Sequence, residues 1–103
     1  MGEFQTVGKA DEVVEGQAKQ FDVKGQEIGV ARVGGALIAF SDICTHRGCN
    51  LVGGGEIVGT TIQCECHGSV FDMATGAVVE SPAVEPLSVF AVRERDGALQ
   101  IEV

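Results

Sequence analysis

Short apolar runs broken by glycine constrain the fold of this 103-residue chain more than any other feature. Fifteen glycines interrupt the sequence, with clusters at Gly34–Gly35 and Gly53–Gly55 where turns are expected. The runs between them are rich in Val, Ile, Leu and Ala, and their alternating or β-branched patterns favour strands. The predicted strands are Phe4–Val7, Ala18–Val23, Gln26–Val33, Ala36–Ser41, Glu56–Gln63, Val70–Asp72, Ala77–Glu80, Leu87–Arg93 and Ala98–Val103. We therefore expect an all-β chain.

The length and the absence of a linker or internal repeat predict a single domain over residues 1–103. Turn signals at Met73–Gly76 and Asp96–Gly97 predict two tight hairpins, in the first of which Gly76 takes a positive φ. The segment Ala10–Glu15 is expected to form one helical turn at most.

The charge of the chain narrows the class of partner. Its net charge is −8 with only 7 Lys and Arg, so phosphate backbones and anionic membranes would be repelled. We expect no nucleic-acid or membrane partner, and a basic surface on another protein fits better, although most carboxylates are expected to be solvated surface groups. Without a long apolar stretch or a signal-like start, the chain is expected to be soluble, cytoplasmic and monomeric.

Both histidines lie within three residues of a cysteine, in Cys44-Thr45-His46 and Cys64-Glu65-Cys66-His67. An isolated buried Cys or His is more often a core residue, but two segments that each offer a thiol and an imidazole indicate a metal site. Structural zinc also takes two cysteines and two histidines, so that alternative stays open. Zinc fingers, however, usually bring both cysteines from one segment and both histidines from the other.

The segments Cys44–Cys49 and Cys64–Ser69 resemble the C-x-H and C-x-x-H signature of the Rieske family. The resemblance extends to the chain length, the strand pattern and the proline-containing segment Ser81–Pro86. It implies a Rieske iron-sulfur fold, an antiparallel β-sandwich with a cluster-binding subdomain of two loops, and a [2Fe-2S] cluster as cofactor. The cluster ligands that it implies are Cys44 and Cys64 on the buried iron, and His46 and His67 on the outer iron.

The same resemblance implies roles for residues beside the ligands. Cys49 and Cys66 stand where respiratory Rieske proteins have a disulfide, with buried free thiols as the alternative. Ser69 matches a serine that donates a hydrogen bond to a cluster sulfide and raises the potential, whereas Phe71 replaces a tyrosine that would donate another. Pro82 lies in the loop that covers the cluster in this family, although ordinary turn punctuation would also explain it.

The implied function is electron transport. A Rieske ferredoxin of this kind accepts electrons from an NAD(P)H-dependent flavin reductase and delivers them to a terminal oxygenase acting on an aromatic or similar compound. The chain has no nucleotide-binding fingerprint and no catalytic triad, so it is not expected to be an enzyme. The alternatives are a higher-potential soluble Rieske protein of a respiratory or other oxidase chain, a zinc-stabilised interaction module, and an accessory reductase subunit.

Overall fold

The computed structural model describes residues 3–45, 48–66, 68–81 and 83–103. In chain order the strands are β1 (Phe4–Lys9), β2 (Ala18–Val23), β3 (Gln26–Val33), β4 (Ala36–Ser41), β5 (Glu56–Val58), β6 (Thr61–Gln63), β7 (Val70–Asp72), β8 (Val78–Glu80), β9 (Val89–Phe90), β10 (Val92–Arg95) and β11 (Ala98–Glu102). They form three antiparallel sheets with the orders β1–β11–β10, β2–β3–β4–β9 and β5–β6–β7–β8. Within the described ranges there is no α-helix, and no segment forms a helix that could cross a bilayer. The all-β prediction is confirmed.

The second sheet, β2–β3–β4–β9, buries side chains on both faces. Successive residues of a strand point to opposite faces, and on β4 Ala39 and Phe40 accordingly enter two different cores. One core includes Leu99 of β11 in the first sheet. The other includes Leu51 and Phe71, which lie beside the two cysteine-containing segments. The second sheet thus packs against the cysteine segments through one core and against the first sheet through the other.

Two of the predicted strands are wrong as single elements. The run Glu56–Gln63 is a hairpin of β5 and β6, because Gly59 adopts a left-handed backbone (φ +60°) that lets Val58 pair with Thr61. The run Leu87–Arg93 is divided between β9, which pairs with β4, and β10, which pairs with β11. Each half packs one partly buried apolar side chain, Phe90 or Val92, against the same core, so the sequence pattern continues although the chain changes sheets.

The remaining elements follow the predictions closely. The bounds of β2, β3, β4 and β7 agree with the predicted ones, and the predicted helical turn is a short 3-10 helix over Ala10–Glu12. Gly76 closes its hairpin at φ +82°, as expected from the turn signal. Asp96 and Gly97 close the β10–β11 hairpin with φ values of +52° and +79°.

Candidate metal centre

Two loops carry all four cysteines of the chain. The first loop, Cys44–Cys49, follows β4, and the second loop, Cys64–Ser69, connects β6 to β7. His46 and His67, the predicted imidazole ligands, lie outside the described residues, as does Pro82. The predicted thiol ligands are described in full.

The two loops share one hydrogen-bonding pattern. In the first loop the N–H of Cys44 donates to the carbonyl of Cys49 (2.8 Å), and the N–H of Gly48 donates to the carbonyl of Cys44 (2.8 Å). In the second loop Cys64 donates to Ser69 (2.7 Å), and Gly68 donates to Cys64 (3.0 Å). Each loop therefore closes around the carbonyl of its first cysteine in the same way.

A glycine at the fifth position allows this closure. Gly48 and Gly68 have φ values of +75° and +80°, in the left-handed region that side chains rarely adopt. The glycines of the two segments are thus required by the backbone of the loop, a role that the motif alone does not reveal.

Cys44 and Cys64 are both buried, each with 1% of its surface exposed. They belong to the core cluster that also contains Leu51, Ile62 and Phe71. The neighbouring loop residues Thr45 and Cys66 are exposed. The first cysteine of each loop therefore faces the protein interior, while Thr45 and Cys66 further along the loops face solvent.

Cys49 and Cys66 form a disulfide that joins the two loops, with a Cα–Cα distance of 6.6 Å. The sulfur atoms of Cys49, Cys64 and Cys66 lie within 4.8 Å of one another, so the disulfide lies beside the thiol of the second loop. Disulfide sulfurs offer no thiolate to a metal. Among the cysteines, Cys44 and Cys64 lie outside the disulfide and remain candidates for metal ligands.

A third segment, residues 81–86, is tied to both loops. The N–H of Ala83 donates to the buried hydroxyl oxygen of Ser69 (3.0 Å), and the Thr45 hydroxyl donates to the carbonyl of Glu85 (2.6 Å). Ser69 has none of its surface exposed. Since its oxygen accepts from Ala83, its own proton is free to point to another acceptor. Sequence reasoning singled out Ser69 but missed Thr45.

Asp42, two residues before Cys44, is a second residue that sequence reasoning missed. Its carboxylate is fully buried and accepts four hydrogen bonds: from the backbone N–H groups of Leu51 (3.0 Å) and Val52 (2.6 Å), and from the side-chain amides of Gln20 (2.6 Å) and Asn50 (3.0 Å). The signal in the sequence was an acidic residue placed between the apolar strand β4 and a predicted ligand.

Proteins of similar sequence identify the family. The model of the Rieske [2Fe-2S] domain matches residues 3–91. The chain belongs to the Rieske [2Fe-2S] family. The biphenyl dioxygenase ferredoxin subunit of Pseudomonas sp. (strain KKS102) is 34% identical over 90 residues, which cover 87% of this chain and 83% of that protein. The cytochrome b6-f complex iron-sulfur subunit of Chlorobaculum thiosulfatiphilum is 39% identical over 88 residues, but these cover 85% of this chain and only 47% of that subunit.

Solved Rieske structures have the same fold. A chain of the complex between reduced oxygenase and oxidized ferredoxin in carbazole 1,9a-dioxygenase superposes with a TM-score of 0.89 at 31% identity, covering 96% of this chain and 92% of that chain. The resemblance to Rieske ferredoxins stated from the sequence is confirmed. The chain is an electron-transfer protein rather than an enzyme.

The cofactor of a Rieske domain is a [2Fe-2S] cluster, and the described residues fit it. Two buried cysteines stand at the same position of two matched loops, and the disulfide keeps these loops together. Membership of the family favours iron and sulfur over the zinc alternative. The Ser69 hydroxyl accepts its hydrogen bond from Ala83, so it can still donate its own proton to a sulfur atom beside the second loop.

Proposed function

We propose that this protein carries single electrons from an NAD(P)H-dependent flavin reductase to a terminal oxygenase that acts on an aromatic ring. The observation that carries the proposal is the pair of matched loops, each with a buried cysteine, joined by a disulfide. Relatives named as ferredoxin subunits of biphenyl and anthranilate dioxygenases support the assignment to an oxygenase system. The solved complex of an oxygenase with its ferredoxin supports direct docking of the two proteins.

In this proposal Cys44 and Cys64 bind the buried iron, and His46 and His67 bind the outer iron. The burial of both cysteines supports the first half of this assignment. The spacing of the histidines from those cysteines, C-x-H and C-x-x-H, supports the second half.

With two neutral imidazoles in place of two thiolates, such a cluster accepts one electron at roughly −150 to +300 mV, compared with about −400 mV for all-cysteine plant-type clusters. The protein adjusts the potential within this range through hydrogen bonds and burial. Ser69 supplies a buried hydroxyl on the second loop, which raises the potential by donating to sulfur. Phe71, also buried, has no donor to add.

The exposed end of the loops is the proposed docking surface. Val84, in the third segment, is 87% exposed, and its neighbour Glu85 is exposed as well. Glu65 of the second loop is also exposed. An exposed apolar residue next to a carboxylate, on a chain of net charge −8, fits a partner surface with an apolar contact and basic residues around it.

A second candidate function is electron transfer at higher potential in a respiratory or other oxidase chain. The Cys49–Cys66 disulfide and the buried Ser69 favour it, since the sequence resemblance associates both with respiratory Rieske proteins. The 39% identity to a cytochrome b6-f iron-sulfur subunit favours it as well, although this chain spans less than half of that subunit.

The protein is further proposed to act as a single domain, as a monomer, and in the cytoplasm. The disulfide makes the last point testable, because cytoplasmic reductants oppose exposed disulfides. Thiol trapping in intact cells measures the redox state of Cys49 and Cys66. If the trapping reagent labels both Cys49 and Cys66 in cells while the protein still carries its cluster, both cysteines are reduced there. That result would show that the disulfide belongs to the oxidised, isolated form only.

The experiment that tests the proposal is EPR spectroscopy of the dithionite-reduced protein, with protein-film voltammetry on the same sample. We expect a rhombic signal whose average g lies below the free-electron value. A potential in the lower part of the Rieske range supports the oxygenase pathway, and one near the top supports the respiratory alternative. A colourless, EPR-silent protein with stoichiometric zinc would overturn both.

A further inference from the structure

Asp42 is the one Asp, Glu, Lys or Arg residue that is fully buried among the residues that the structure describes. The ion pair found in these ranges, Lys19–Glu12, lies elsewhere, so no described cation compensates the carboxylate. Burying a charge costs several kcal/mol unless hydrogen bonds replace the lost water. The hydrogen bonds of Asp42 therefore explain how it is tolerated in the core.

The two oxygens of this carboxylate accept hydrogen bonds from different donors. Oδ1 accepts from the backbone N–H groups of Leu51 and Val52, which follow the first loop. Oδ2 accepts from the side-chain amides of Gln20 on β2 and Asn50 at the end of the loop. Both oxygens act only as acceptors, and all four donors are amide groups.

These bonds close the base of the first loop. The N–H of Leu51 also donates to the backbone carbonyl of Asp42 (2.9 Å), and Ile43 forms an antiparallel bridge with Asn50. The chain entering the loop is thus held against the chain leaving it, directly below Cys44. Through Gln20 the same carboxylate ties this base to the second sheet.

The second loop has no such group at its base. Its stems are β6 and β7, a regular antiparallel pair in which Gln63 lies opposite Val70. The only other buried polar residue among the described ranges is Ser69, a neutral hydroxyl. The base of the first loop has an isolated antiparallel bridge, Ile43–Asn50, in place of such a strand pair, and the Asp42 carboxylate adds four hydrogen bonds to it.

We propose that Asp42 is a positioning residue of the cluster site, which holds the first loop in the conformation that presents Cys44 to the cluster. The inference rests on the proposed function, because it takes the two loops to be the cluster ligands. Asp42 acts through the loop, without contact to the cluster being required.

The test compares Asp42→Asn with Asp72→Asn. Asparagine has nearly the same shape as aspartate, but it has an NH2 group in place of one carboxylate oxygen. An NH2 group cannot accept a hydrogen bond, so in Asp42→Asn one of the two pairs of N–H donors, either Leu51 and Val52 or Gln20 and Asn50, is left without an acceptor. Asp72 is a matched control: its Oδ1 accepts from two backbone N–H groups, of Ala74 and Thr75, in a half-buried turn outside both loops.

The readouts are the rate of cluster loss to an iron chelator, followed by visible absorbance at low temperature, and the spread of g values in the reduced EPR spectrum. We expect Asp42→Asn to lose the cluster about tenfold faster or more, with altered g values, since it loses hydrogen bonds to a charged group, which are stronger than those to a neutral one. Asp72→Asn is expected to match the wild type in both. A residue that only stabilises the fold would lower the melting temperature without changing the g values.

Two further variants decide the matter where Asp42→Asn does not fold. Asn50→Ala and Gln20→Met each remove one donor from Oδ2 and keep the carboxylate, and each should speed cluster loss several-fold, Asn50→Ala more because Asn50 belongs to the loop base. A normal g spectrum and normal cluster loss in Asp42→Asn would overturn the inference while leaving the proposed function intact. Where Asp42→Asn does not fold, the same normal result in both Asn50→Ala and Gln20→Met would overturn it. A wild-type protein without a Rieske signal would overturn the proposed function, and this inference with it.

Discussion

The two cysteine loops share the same hydrogen bonds and glycine conformation among their described residues, but different structures support them. Both close around the carbonyl of their first cysteine, with a left-handed glycine at the fifth position. The second loop is the tip of the β6–β7 strand pair, whereas the first is closed below Cys44 by the buried carboxylate of Asp42. The conformation that presents a ligand is thus a local property of the loop, while its anchoring depends on the surrounding structure.

The loops also differ at their sixth residue, Cys49 in the first and Ser69 in the second. Cys49 joins the other loop through the disulfide, and Ser69 accepts a hydrogen bond from the third segment. The sixth residue of the first loop therefore takes part in the covalent link, and that of the second loop binds the third segment through a hydrogen bond.

The largest expected effect is loss of the cluster, and it should follow from replacing a proposed ligand in either loop. Cys44→Ala and Cys64→Ala should each abolish the cluster completely, because each is proposed to supply one of the two thiolates. His46→Ala and His67→Ala should do the same. Iron content and the reduced EPR spectrum measure the loss, with Asp72→Asn as the variant expected to keep a full cluster. A normal spectrum in any of the four would show that the ligand set is wrong and that the loops are not equivalent.

The second effect concerns the covalent link between the loops. Replacing both Cys49 and Cys66 by Ala should lower the free energy of unfolding by about 3 kcal/mol, the value that chain entropy predicts for a loop of about 15 residues. The sequence separation here is 17. Urea unfolding, followed by circular dichroism on the cluster-containing protein, gives the difference. Equal stability of the variant and the wild type would mean that the loops are held together without the disulfide.

The third effect separates the two contacts of the third segment. Ser69→Ala leaves the N–H of Ala83, which is 2% exposed, without its acceptor, at a cost of about 2 kcal/mol. Thr45→Val removes an exposed hydrogen bond and should cost about 1 kcal/mol or less. Voltammetry should show a lower potential for Ser69→Ala and little change for Thr45→Val. If the potential fell further in Thr45→Val than in Ser69→Ala, the first loop rather than the second would be the one that adjusts the potential.

The fourth effect tests whether the two backbones are in fact alike. Gly48→Ala and Gly68→Ala each force a side chain into the left-handed region and should each cost about 1 kcal/mol. Gly97→Ala, at φ +79° in the β10–β11 turn, is the control with the same strain outside the site. It should match them in stability and leave the cluster spectrum unchanged. If Gly48→Ala and Gly68→Ala lowered the free energy of unfolding by different amounts, one loop would adjust its conformation to the new side chain better than the other.

The smallest effect lies away from both loops. The hydrogen bond from Lys19 and the backbone N–H of Lys9 lower the pKa of the exposed Glu12 carboxyl below its usual value of 4.5. A carboxyl with a lowered folded-state pKa stabilises the protein above its unfolded pKa, and that contribution is lost as the pH falls through the folded value. Below pH 4.5 the wild type should therefore lose a small increment of stability that Glu12→Gln does not have. Thermal melts at a series of pH values measure it. A change in the rate of cluster loss in Glu12→Gln would show that the 3-10 helix Ala10–Glu12 is coupled to the loops.

Much of the fold could be predicted because alternation of apolar residues is a local signal. The bounds of β2, β3 and β4 are those that the sequence predicts. The predictions failed where the chain changes partners, within Glu56–Gln63 and Leu87–Arg93, because a continuous apolar pattern does not reveal which sheet each half joins. Gly59 alone marked the first of these breaks.

The sequence by itself determined the all-β class and the Rieske resemblance, and with them the proposed ligands, since residue identity and spacing carry that information. Only the tertiary structure brought the two loops together through Cys49 and Cys66 and set the third segment on Ser69 and Thr45. It alone assigned four donors to Asp42. These contacts join residues that are distant in the chain, and a hydrogen bond between distant residues exists only where packing of the sheets brings donor and acceptor within about 3 Å.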